Sequence, residues 1–245
     1  MQARLPPWKA CANIVRKVTM ENVIQVQKVC RNFGDGETLV QALKSLSVNI
    51  RRGEFTAVVG PSGSGKSTLL HLVGGLDKPS SGQIFLAGKA MSDMTGNELS
   101  DYRRDHIGFV FQAYNLIPVL SVEENVEYVM LLQGVSPSER RDRVHTMLKR
   151  LGLGDKYKRF PNQLSGGQQQ RVAVARAMVS HPDIILADEP TANLDSKTGG
   201  DLLDLMKELH EQENMTFLFS THDPMVMERA ERLIRLKDGE IAAFP

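Results

Sequence analysis

The pattern of the chain predicts an α/β core interrupted by a mainly helical insertion. Three observations carry this. A short apolar run, Phe55 to Val59, leads into Gly60-Pro61-Ser62-Gly63-Ser64-Gly65-Lys66-Ser67-Thr68 and then into helical spacing at Leu69, Leu70 and Val73. Further strand-like runs, Ile184 to Ala187 and Thr216 to Phe219, are separated by amphipathic helical patterns. Between these two regions, residues from about 97 to 160 change character: they are mostly helical, charged and punctuated by Pro118 and Pro137.

Taken in order, Val23 to Val29 and Leu39 to Ile50 read as strands joined by polar turns, an N-terminal antiparallel β portion. Arg51 to Glu54 turn into the central strand. Pro79 to Gly82 form a turn before the strand Gln83 to Leu86. Within the insertion, Ile107 to Phe111 is strand-like, and Ser136-Pro137 starts a helix. Val144, Met147, Leu148 and Leu151 form its core-facing stripe. A helix then carries Val172, Val174, Ala175 and Met178, and Asp195 caps another with Leu202, Leu203, Met206 and Leu209 on one side. Leu233 to Leu236, the turn Lys237-Asp238-Gly239 and a short strand close the chain as a hairpin.

Length and composition set the outer bounds. The 245 residues are 41% hydrophobic and 24% charged, ordinary for a globular chain with a sizeable core. A net charge of +1 gives no bulk signal for nucleic acid or anionic lipid. No apolar run reaches the about 20 residues of a membrane span, so a membrane role would pass through a partner. Cys11 and Cys30 have neither metal-ligand spacing nor a disulfide framework, which suits a reducing cytosol. Residues 1–19 carry Arg4, Lys9, Arg16 and Lys17 and no acid. They read as a disordered extension, or as a segment upstream of the true start at Met20, leaving residues 20–245 as the folded domain.

The stretch Gly60 to Thr68 has the form G-x-x-x-x-G-K-[ST]. Glycines let the backbone wrap an anion with N–H groups inward, and the following helix offers unpaired donors and a positive dipole end. Lys66 adds charge for the β- and γ-phosphates, and the Ser67 hydroxyl can ligate Mg²⁺. The strand–loop–helix context points to a nucleoside triphosphate. A second anion-type turn, Leu164-Ser165-Gly166-Gly167-Gln168-Gln169-Gln170-Arg171, opens another helix.

With both strings present, the chain resembles the ATP-binding subunits of ABC transporters over roughly residues 20–243. Leu164 to Gln168 match that family's signature sequence. The resemblance implies an α/β fold with a P-loop NTPase core and an inserted helical subdomain, ATP and Mg²⁺ as cofactors, and head-to-tail dimers of identical subunits. In such dimers Ser165, Gly166, Gly167 and Gln168 of one copy complete the ATP site of the other. Asp188 would hold Mg²⁺ and Glu189 would orient and deprotonate the attacking water. His222 would contact the γ-phosphate and steady Glu189. Gln112, whose amide oxygen can meet Mg²⁺ or water, would couple nucleotide state to the membrane partner. Asn193-Leu194-Asp195 corresponds to the loop at the dimer interface, with Asp195 among the nucleotide-site residues. Asn193 departs from the commoner alanine. Phe33 is a candidate for stacking on adenine, with a turn aromatic packed on the core as the alternative. His71, His106, His145, His181 and His210 read as surface or core residues.

Leu72 to Asp77, Arg103-Arg104, Ile107 to Gln112, Asn115-Leu116, Leu120, Glu123, Asn125 and Val126 resemble the lipoprotein-release and macrolide-export group of these ATPases. That likeness implies a separate membrane permease as partner, no nucleic acid, and a place at the cytoplasmic face of the membrane. A mechanical signalling ATPase of the cell-division type, whose permease-like partner carries no substrate, stays open as the alternative. A soluble ABC protein of DNA repair or translation fits less well, because the chain has no coiled-coil insertion, zinc cysteines or second ATPase unit.

Overall fold

The computed structural model describes residues 22–243, so the readings for residues 1–19 lie outside the described residues. Two sheets sandwich one helix. The first sheet is antiparallel: β1 (Asn22–Phe33), β2 (Val40–Arg51), β4 (Ser81–Leu86) and β5 (Lys89–Ala90), in the order β2-β1-β4-β5. In β1 the buried residues Val26 and Val29 are three apart, which simple alternation forbids. A register shift between them, with Lys28 at φ 50°, returns Val29 to the inner face.

The second sheet is built from β3 (Phe55–Val59), β6 (Ile107–Val110), β7 (Ile184–Asp188), β8 (Phe217–Thr221) and β9 (Arg232–Lys237), with β10 (Glu240–Ile241) at one edge. Its order is β10-β9-β3-β8-β7-β6, and all neighbours from β9 to β6 run parallel. Both faces are covered, so β3 is buried throughout rather than alternating. Phe55, Ala57 and Val59 face one core with Val172, Val174, Leu202 and Met206. Val58 faces the other, with Leu43, Ile50, Leu69 and Leu72. Helix α1 (Lys66–Val73) lies between the two sheets.

The stretch from about 97 to 160 is not a separate helical body from its first residue. Helix α2 (Gly96–His106) feeds β6, which pairs with β7 as the edge strand of the main sheet. The physical reason is visible at β6: Ile107, Gly108 and Val110 are buried, and a Cβ on Gly108 would lie 2.2 Å from the Ala177 carbonyl oxygen. The strand passes under the helix that carries Ala177 (Gly166–Met178) at a distance only glycine permits. Helices α3 (Val122–Leu132) and α4 (Pro137–Arg150) follow, and their Val122, Val126, Met130, Val144, Met147 and Leu148 join the larger core.

Helix starts are set by the sequence. Thr95 with Glu98 and Ser121 with Glu124 form capping boxes, and Ser136 caps α4 ahead of Pro137. Asn125, 1% exposed, spends its whole amide on the preceding loop. Its oxygen accepts from Ile117 N at 2.8 Å, and its nitrogen donates to the carbonyls of Ile117, Leu120 and Ser121. Strings that lie 28 residues apart in the sequence also meet: Arg103 Nη1 donates to Gly75 O at 2.6 Å.

Helix α5 (Gly166–Met178) begins at Ser165, α6 (Ser196–Glu213) at Asp195, and α7 (Pro224–Arg229) at Asp223.

Candidate nucleotide site

Four adjacent parallel strands end at the same edge of the main sheet. The loop Gly60 to Gly65 follows β3, His222 follows β8, Asp188 and Glu189 end β7, and Gln112 lies just past β6. In open parallel sheets this carboxyl edge is where ligands bind, because the βα loops and helix N-termini converge there.

The glycine loop is packed too tightly for side chains. Gly65 has φ 101°, and a Cβ there would sit 2.6 Å from Ala42 O. Gly239 N donates to Ser64 O at 3.1 Å, which ties the loop to the β9–β10 turn. Lys66 is 7% exposed, and its ammonium donates to the carbonyls of Gly60 at 2.9 Å and Pro61 at 3.1 Å. A cleft of about 410 Å³ lies against this loop, lined by Gly63, Gly65, Lys66, Ser67 and Thr68 with Val40 and Lys44 of β2. A larger open groove of about 1000 Å³ is lined by Gln25, Asn49, Arg232 and Arg235. It contains none of the glycine loop, so on chemical grounds the smaller cleft is the candidate for the phosphates.

The two acids point to different partners, but not by strand alternation: β7 ends at Asp188, and Glu189 lies just past it in a left-handed conformation. Asp188 Oδ1 accepts from Ser67 Oγ at 3.0 Å. Glu189, at φ 45°, turns the other way: Oε1 lies 2.7 Å from His222 Nδ1, and Oε2 accepts from Thr221 Oγ1 at 3.0 Å. Its side chain is 14% exposed while that of His222 is 67% exposed, so a partly buried carboxylate meets an open imidazole. A non-glycine residue in this region costs about 1–3 kcal/mol, and such residues gather at functional sites.

Among the described residues no group of three or more His, Cys, Asp or Glu could hold a metal ion. The Ser67–Asp188 pair supplies two hard oxygens. That fits Mg²⁺, which takes one or two protein oxygens and completes its shell with phosphates and water.

Other expected residues lie elsewhere in this single chain. Ser165 caps α5, its hydroxyl accepting from Gln168 N while Gln168 Oε1 accepts from Ser165 N. A Cβ on Gly166 would lie 2.9 Å from the Tyr114 hydroxyl, and one on Gly167 would lie 2.4 Å from Thr198 Cγ2. Neither these residues nor Asp195 line the cleft beside the glycine loop; Glu189 and His222 do not line it either, but Asp188 reaches it through the Ser67 hydroxyl. Asp195 caps α6, and the backbone N–H and hydroxyl of Thr198 hold its carboxyl below the usual range. Phe33 pairs with Val40, a cleft residue, but the residue is 42% exposed and its ring carries the Arg31 guanidinium at 4.4 Å. Gln112 is exposed, and its backbone carbonyl accepts from Asn193 Nδ2 at 2.8 Å.

Three contributors went unread in the sequence. Thr221 shares Glu189 with His222. Buried Gln170 donates to Pro190 O at 2.7 Å, steadying the turn after Glu189. Arg176 donates to the carbonyls of Tyr114 and Asn115. A hydroxyl directly before His222 was the available signal for the first; the other two need the fold.

A family model described as ABC transporter matches residues 43–192. The chain belongs to the ABC transporter family. Membership and the site together make it an ATPase that binds adenine nucleotide. It is 48% identical over 229 residues, 94% of its length, to the macrolide export ATP-binding/permease protein MacB of Bartonella quintana. It spans only 34% of that relative's length. An uncharacterized ABC transporter ATP-binding protein of Methanocaldococcus jannaschii, MJ0796, is 47% identical over 223 residues, covering 89% of this chain and 95% of the relative. The solved dimer of that cassette in a post-hydrolysis state, bound to ADP and Pi, superimposes with a TM-score of 0.83, covering 90% of this chain and 97% of the other. No helix among the described residues is long and apolar enough to cross a membrane.

Proposed function

We propose that this ATPase closes as a homodimer on ATP and drives a separate membrane permease of the export or lipoprotein-release type, from the cytoplasmic face of the membrane. The observation that supports this best is the division of the site. Lys66, Ser67, Asp188, Glu189 and His222 gather at one sheet edge, joined through the Ser67–Asp188 and Glu189–His222 contacts, whereas Ser165 to Gln168 start a different helix. A second copy would bring its Ser165–Gln168 turn to this cleft. The macrolide-export relatives and the solved dimer of the archaeal cassette support the same reading.

Within the site, Lys66 and the loop N–H groups bind the phosphates, and Ser67 and Asp188 hold Mg²⁺. The metal, when bound, neutralises charge on the phosphates. Glu189 Oε1 takes a proton from the attacking water, with Thr221 and His222 fixing the carboxylate. Phe33 offers a π-face to adenine, and Gln112 senses the nucleotide for the permease.

Sedimentation of Glu189→Gln with ATP tests the dimer. The variant should be dimeric with ATP and monomeric without it, and Ser165→Arg added to it should restore the monomer while ATP still binds. A monomer at saturating ATP in the first variant would refute the shared site. Co-purification from membranes would identify the permease. A partner without transport activity in vesicles would favour the signalling alternative.

A further inference from the structure

The loop that follows β6 is held in an unusual shape. Tyr114 and Asn115, neither of them glycine, both adopt left-handed backbone conformations, with φ 58° and 49°. Such a shape persists only where contacts impose it. Two come from α5: Arg176 Nη2 donates to Tyr114 O at 2.9 Å and Nη1 to Asn115 O at 2.6 Å. The third comes from Asn193, whose Nδ2 donates to Gln112 O at 2.8 Å.

Asn193 is not a free surface side chain that happens to touch the loop. It sits in the turn that begins at Glu189. Ala192 N donates to Glu189 O at 3.2 Å, and Leu194 N donates to Thr191 O at 3.0 Å. Thr191 Oγ1 donates to Asp223 Oδ2 at 2.6 Å, and Gln170 holds Pro190 O. The turn from Glu189 to Asp195 is therefore tied at several points, and Asn193 extends it to the neighbouring strand's loop.

We infer that Asn193 is a positioning residue: its amide makes the Gln112 loop move with the Glu189 turn, so that the glutamine and the general base are set in place together. The inference rests on the ATPase reading of the site. An alanine there would leave the Gln112 carbonyl without its donor. An aspartate, equal in size but lacking the donor, would put a carboxylate against the carbonyl and push the loop away.

The test uses Asn193→Ala, Asn193→Asp and Asn193→Gln in the full chain. Amide hydrogen exchange without nucleotide should rise over residues 112–116 in the alanine and aspartate variants. Steady-state hydrolysis should show kcat lowered about tenfold in alanine, the scale of one lost hydrogen bond. It should fall further in aspartate and recover in part in glutamine, with half-saturating ATP unchanged in all three. Unchanged exchange would show that the bond does not hold the loop. Faster exchange with unchanged kcat would show a surface staple with no part in positioning. Either result overturns the inference. Failure of the underlying reading would look different: Glu189→Gln would hydrolyse ATP like the parent, whatever the exchange data show.

Discussion

Replacing Glu189 by Gln removes one property and keeps the rest. Glutamine has nearly the same shape, so its oxygen can stay near His222 Nδ1, now at 2.7 Å from Oε1. Its nitrogen can donate to Thr221 Oγ1, which lies 3.0 Å from Oε2. The neighbouring Ser67–Asp188 contact is untouched, so fold and ATP binding should persist. What disappears is the carboxylate's affinity for the water proton. Loss of a general base costs about 10²- to 10⁴-fold in rate, or about 3–5.5 kcal/mol in the barrier. His222 lies against the same side chain, so if it contributes to the residual reaction the rate should fall again in Glu189→Gln/His222→Ala. The assay is phosphate release at saturating ATP with magnesium, with fluorescent-nucleotide binding as the control for site integrity. Turnover within about threefold of the parent, with binding intact, would refute the base assignment.

Two further outcomes follow from particular contacts. Lys66→Ala should cost about a hundredfold or more in kcat/KM, or at least ~3 kcal/mol, and should weaken nucleotide binding in a direct titration. A kcat/KM near the parent's would remove Lys66 from the phosphate site. Asp183 joins Arg52 at 2.6 Å and His106 Nδ1 at 2.6 Å. Burial works against its charge, but the hydrogen bonds from His106 and Arg52 win and hold the carboxyl below its usual range. A depressed folded pKa stabilises at pH above the unfolded value, about 3.9, and that stabilisation is lost as pH falls through the folded value. Asp183→Asn should therefore lower Tm at pH 7, with the gap narrowing below about pH 4. A gap in thermal melts that stays constant from pH 7 to pH 3 would show that the ion pairs contribute nothing.

The parts of the site that lie within one local stretch were readable. Phe55 to Val73 declares strand, loop and helix in one unbroken run, and Ser165 with Gln168 declares a helix start, because these patterns depend on neighbours in sequence. The boundary of the helical insertion was harder to read. Ile107 to Val110 is only four residues long, and its strand character comes from pairing with Ile184 to Ala187, far along the chain. The same holds for Gln170 and Arg176. Each looks like a polar residue on a helix until the fold brings a loop carbonyl against it. Phe33 shows another kind of long-range placement: it pairs with Val40 beside the cleft, and the Arg31 guanidinium over its ring is invisible in the sequence pattern.

The separation of the glycine loop from the Ser165–Gln168 turn bears on the stoichiometry proposed above. Ser165 to Gln168 start α5, and the phosphate cleft lies against α1. If identical chains use both, a two-fold pair is the arrangement that closes, since any patch one copy offers to its partner the partner offers back. Each copy's signature turn then meets the other's cleft, and two sites form together. Ser165 can serve there without leaving its cap, because its hydroxyl accepts from Gln168 N and still has a proton to donate. Closure around one nucleotide therefore prepares the second site as well. ATP dependence of dimerisation should accordingly be steeper than for a single independent site, and a hyperbolic dependence in Glu189→Gln would argue against paired sites.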